Sequence, residues 1–127
     1  MENLSTAFAT MRKIGLLARQ NFMCCQNCGG YAMATKATEM IDEGKKKEDI
    51  KGCVFYHSQD NENKRDGDNF YLAYGTMGTK KYGDIGLSNK EVGKLVCKIL
   101  SIYDVPYKWN GKEEERILIV QDPKEKD

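Results

Sequence analysis

The chain has a single histidine, no long apolar run and no charge imbalance, and the last two each remove a class of function. A membrane-spanning helix needs about 20 consecutive apolar residues, and none of the apolar runs approaches that length. Lys and Arg total 20 against 19 for Asp and Glu, a net charge of +1. That balance gives no bulk electrostatic reason to expect a nucleic-acid or anionic membrane partner. Residues 1–5 lack the basic stretch and long apolar segment of a secretory signal, so the expectation is an intracellular, cytoplasmic protein. There is no internal repeat and no low-complexity segment.

Five cysteines are an odd number, and Cys24 and Cys25 are neighbours that pair only at the cost of strain. Without a secretory signal, this points to free thiols or metal ligands rather than a disulfide framework. Hydrophobic residues make up 40% and charged residues 31% of 127 residues, a balance that suits one globular domain. The expected organisation is one α+β domain over residues 1–121 with a charged C-terminal tail at 122–127.

Leu4, Phe8, Met11, Ile14 and Ala18 recur at helical spacing and predict a helix over 4–18. Gly29-Gly30 permits a sharp backbone change before a second helix over 31–43, which Gly44 stops. Residues 52–58 alternate as a strand, with Cys53, Phe55 and His57 on one face and Val54 and Tyr56 on the other. The polar stretch 60–68 reads as a long connection to a second strand at 70–74. Residues 76–87 are glycine-rich and read as irregular. Ser88 and Glu91 form a capping box ahead of a helix over 89–103, whose stripe is Val92, Leu95, Val96, Ile99, Leu100 and Tyr103. Two strands over 106–109 and 116–120 follow, the last apolar on both faces and therefore central. The predicted order is α-α-β-β-α-β-β, with helices packed on one mainly antiparallel, four-stranded sheet.

The chemistry concentrates in Cys24-Cys25-Gln26-Asn27-Cys28. Thiolates are soft ligands, and Cys25-x-x-Cys28 has the spacing of a zinc half-site. Of the other candidates, Cys53 and Cys97 read as small buried residues. Cys53 and His57 would stand about 13 Å apart along an extended strand, too far for both to reach one ion. The expected metal set is Cys24, Cys25, Cys28 and His57, with zinc as the ion and Asp60 at the margin.

Two other readings stay beside it. In one, a cysteine of the turn (Cys25 foremost) is a nucleophile or redox thiol, with His57 as base and Asp60 or Gln59 orienting the pair. The turn precedes a predicted helix, whose N-terminus favours a thiolate. In this reading, however, the motif follows a helix and not a strand, which does not fit a thioredoxin-like domain. In the other, the cysteines only pack, and the domain is a scaffold. Residues 75–81 lack the full spacing of a phosphate loop. An apolar sheet leaves pairing of two copies open, and the sequence identifies no partner.

The string from Ala18 to Gly29, with Asn21-Phe22-Met23-Cys24-Cys25-Gln26-Asn27-Cys28-Gly29, is followed by Gly52 to Asp60, with His57-Ser58-Gln59-Asp60. Together they resemble an uncharacterised bacterial domain-of-unknown-function family with N-F-x-C-C-x-x-C-G and H-x-Q-D motifs. Leu72 to Gly75 and Val105 to Gly111 continue the likeness, which covers about residues 10–120. The resemblance implies that Cys24, Cys25, Cys28, His57, Gln59 and Asp60 belong to the motif and that Cys53 and Cys97 do not. It implies no particular activity. A lysine-rich stretch at 79–82 departs from the family pattern.

Overall fold

The computed structural model describes residues 2–22, 26–113 and 115–121, without the side chains of residues 2, 26–29 and 59. Among the described residues, four α-helices and a five-stranded mixed sheet form an α+β fold, with a separate two-stranded sheet beside them. The main sheet corrects the expected four strands by one, and the extra strand is the one that makes it mixed.

Helix α1 spans Glu2–Lys13 and strand β1 spans Leu16–Arg19, where one helix over 4–18 was expected. Gly15 makes the break. Its φ is +108°, and a Cβ there would sit 2.3 Å from the Asp49 carbonyl oxygen, so only glycine lets the chain turn against that backbone. The sequence hides the break because Ile14 and Ala18 keep a helical spacing while Leu16 and Ala18 keep a strand spacing.

Helix α2 runs Gln26–Asp42, starting before the expected position and passing through Gly29-Gly30 without a turn. Gly44, at φ +110°, ends it with paired bonds, Lys45 N–H to the Met40 carbonyl and Gly44 N–H to the Ile41 carbonyl, both 3.0 Å. This is the left-handed cap that glycine favours. A short 3-10 turn at Lys47–Asp49 leads into β2, Gly52–Phe55.

Strands β1 and β2 are parallel, Leu16 facing Gly52 and Arg19 facing Phe55, with α2 as the crossover. The expected strand to residue 58 stops at Phe55. The polar stretch expected to be a connection is instead helix α3, Ser58–Arg65. It has no apolar stripe to announce it, and Asp60 is its buried contact with the sheet.

Strand β3, Phe70–Gly75, returns antiparallel to β2. The segment expected to be irregular contains a hairpin, β4 at Met77–Thr79 and β5 at Gly83–Ile85. Helix α4, Asn89–Ile102, matches its capping box: Glu91 N–H donates to Ser88 Oγ at 3.3 Å, and Ser88 Oγ–H donates to Glu91 Oε1 at 3.0 Å. Strands β6, Tyr107–Lys108, and β7, Ile117–Ile119, complete the sheet. The strand order is β1-β2-β3-β7-β6, so the doubly apolar β7 lies inside it.

Each face of the sheet carries its own core. Leu4, Phe8 and Met11 of α1 and Val92, Val96 and Leu100 of α4 cover one face, against Val54, Tyr56, Phe70 and Leu72. Met33 and Ala37 of α2, with Met77 and Ile85 of the hairpin, cover the other, against Cys53, Phe55 and Ala73. Burying a Leu, Phe or Met side chain is worth about 1.5–3 kcal/mol, so both layers hold the strand ends in place.

Candidate functional site

The two parallel strands put their carboxyl ends side by side, and each feeds a helix N-terminus. From β1 the chain passes Phe22, whose backbone N–H donates to the Tyr56 carbonyl at 2.8 Å. Phe22 also packs edge-on against Phe55, with centroids 5.9 Å apart. From β2 the chain passes Tyr56 to His57, the N-cap of α3. The residue just before Met23 is therefore bonded to the residue just before His57. In parallel α/β units, ligands gather outside the carboxyl ends of strands.

His57 and Asp60 occupy the N-cap and the first turn of α3. Their spacing of three residues brings His57 Nε2 to 3.1 Å from Asp60 Oδ2, with only 13% and 7% of the two side chains exposed. Proximity sets this pairing, not an aligned hydrogen bond: among the described residues neither Asp60 Oδ2 nor His57 Nδ1 has a hydrogen-bond partner, and both atoms are buried. Asp60 Oδ1 accepts from the Tyr71 backbone N–H at 3.5 Å, the limit of hydrogen-bond reach. A carboxylate in the first turn of a helix also answers the positive end of its dipole.

Arg116 completes the surroundings. Its Nη1 lies 3.8 Å from Asp60 Oδ2, and its guanidinium stacks 4.6 Å above the Tyr71 ring. Nothing in sequence spacing points to Arg116 or Tyr71; they reach Asp60 because β3 and β7 are neighbours in the sheet. Below His57, Tyr56 lies in the core between Phe8 and Phe70, with centroids 6.0 and 5.2 Å away. Its hydroxyl donates to Gln20 Oε1 at 2.8 Å and accepts from Lys64 at 3.1 Å. Burial pushes that phenol up to about 12.

Among the expected site residues, His57 and Asp60 are brought together. Cys24 and Cys25 lie outside the described residues. So do the side chains of Cys28 and Gln59, although Cys28 is the third residue of α2. Cys53 and Cys97 are free and buried, as expected of packing residues, and burial pushes their thiols up to about 12 and about 11. Among the described residues no three His, Cys, Asp or Glu side chains cluster as a metal site.

One expectation about the turn is reversed. It was read as following a helix, but β1 precedes it and α2 begins at Gln26. With a strand ahead of the turn and Cys28 in the first turn of α2, the point against a thioredoxin-like arrangement no longer applies.

No described helix is long and apolar enough to cross a membrane. No curated protein and no solved structure matches the chain. A family model does match residues 1–123, and the chain belongs to that family, the domain of unknown function DUF6891.

Proposed function

We propose that this domain is a zinc-binding module whose ion is held by Cys24, Cys25, Cys28 and His57 at the carboxyl ends of β1 and β2. The observation that carries the reading is His57 Nδ1, buried and without a hydrogen-bond partner among the described residues, while Nε2 of the same ring faces the Asp60 carboxylate. Buried polar atoms are rarely left unpaired, and a metal-ligating histidine ordinarily turns its other ring nitrogen to a carboxylate. The bond from Phe22 to Tyr56 supports the company of the cysteines. Two Cα steps of 3.8 Å keep residue 24 within about 7.6 Å of Phe22. Three thiolates and one imidazole make a closed tetrahedral set, which favours a structural ion over a catalytic one.

Elemental analysis of protein purified without added metal should give about one zinc per chain. His57→Ala and Cys28→Ser should lower that occupancy while leaving the helix and sheet signal intact. A metal-free protein with three freely titrating thiols in the turn overturns the reading.

A second reading, a reactive thiol, is favoured by the start of α2: Cys28 is its third residue, and a helix N-terminus stabilises a thiolate. In that case His57 takes the thiol proton and Asp60 holds the ring. Metal-free protein would then show one thiol labelled rapidly by iodoacetamide and slowed in His57→Ala. Uniformly slow labelling in both proteins overturns it.

A further inference from the structure

A groove of about 480 Å³ runs between β1 and α2, within the range of small-molecule sites. Leu17, Phe22, Tyr31 and Met33 form its apolar wall, and Arg19 and Lys36 stand on its rim. We infer that this groove binds a small organic anion, with a flat or acyl body against the apolar wall and one acidic group between Arg19 and Lys36. The inference does not rest on the cysteine and histidine site, because every residue it uses lies outside that set.

Three observations identify the occupant. First, the groove carries an excess of one positive charge: Arg19 and Lys36 line it against the single carboxylate of Glu39. Glu39 lies one helical turn beyond Lys36. That balance suits a ligand with one acidic group, and Glu39 disfavours a second. Second, Arg19 and Lys36 are exposed and have no ion-pair partner among the described residues, so both are available to an anion.

Third, the edge itself is closed to a strand. β1 is the outer strand of the sheet and would ordinarily invite an added peptide or a second copy. Its Ala18 carbonyl, however, accepts from Arg12 Nε at 2.9 Å. A strand laid along β1 would have to break that bond, whereas a compact ligand seated on the α2 side leaves it intact. Tyr31, 78% exposed, then acquires a role as the aromatic flank of the ligand.

The probe is 8-anilinonaphthalene-1-sulfonate on the folded, full-length protein, with N-phenyl-1-naphthylamine as the same ring system without its charge. The sulfonate should bind one site, and backbone amide shifts should map it to residues 17–22 and 31–39. Arg19→Ala with Lys36→Ala should weaken it about tenfold, the scale of a lost charge pairing, and leave the uncharged probe unaffected. Glu39→Gln should bind the sulfonate at least as well as wild type. Near-ultraviolet circular dichroism confirms that each variant keeps its packing. Equal affinity for the two probes, amide shifts elsewhere, wild-type affinity in the double variant, or a dimer that buries the groove each overturns the inference.

Discussion

At the scale of single residues, the site depends on Asp60. It is the buried charged residue of the described chain, 5% exposed, and it faces the His57 ring and the Arg116 guanidinium. Replacing it with Asn keeps the shape and removes the charge. If the His57 ring is a zinc ligand, Asp60→Asn should weaken zinc binding about 10–100-fold, the usual cost of losing the carboxylate behind a ligating histidine. Competition with a chromogenic chelator measures this, and unchanged affinity would show that Asp60 serves α3 alone. Arg116 is held over Tyr71, and its planar group can keep the carboxylate in register in a way that a lysine point charge cannot.

At the scale of elements, legibility followed hydrophobic periodicity. Helix α4 is plain in the sequence because a capping box and an apolar stripe agree. Ser88→Ala removes the acceptor for Glu91 N–H and should cost about 1 kcal/mol, read from the urea midpoint. An unchanged midpoint would mean that packing on β3 holds the helix without its cap. Two elements were hidden for opposite reasons. β1 was absorbed into a helix because Ala18 fits both periods, and only the backbone at Gly15 separates them. α3 reads as a connection because Ser58 to Arg65 offers no apolar face, and its helix is anchored through Asp60. Of the candidate site, His57 and Asp60 were legible from their spacing and company. Arg116, Tyr71 and the Phe22–Tyr56 bond depend on which strands are neighbours, which spacing does not encode.

At the scale of the whole molecule, two buried thiols weaken the fold as the pH rises above 9. Burial raises Cys53 to about 12 and Cys97 to about 11 from an ordinary 9.0. Below pH 9 both thiols are protonated, folded or unfolded, and their contribution is fully present. Above pH 9 the unfolded chain releases protons that the folded chain holds, so stability falls as pH rises toward the folded values. The slope is about 1.4 kcal/mol per pH unit for each thiol. Urea unfolding at pH 8 and pH 10.5 should show a smaller loss in Cys53→Ala than in wild type; equal losses would place the effect in other groups.

The strand order carries a consequence for synthesis. The last of the described strands, β7, lies between β3 and β6, and Val120 N–H still donates to the Pro106 carbonyl. While the polypeptide emerges from a ribosome, β3 therefore waits with one side unpaired, and the shared layer under α1 and α4 lacks Ile117 and Ile119. The nascent domain cannot close until nearly all of it has been made. A stop codon or nick ahead of residue 117 takes away the middle of the sheet, so such a fragment is a substrate for chaperones and proteases and not a smaller folded domain.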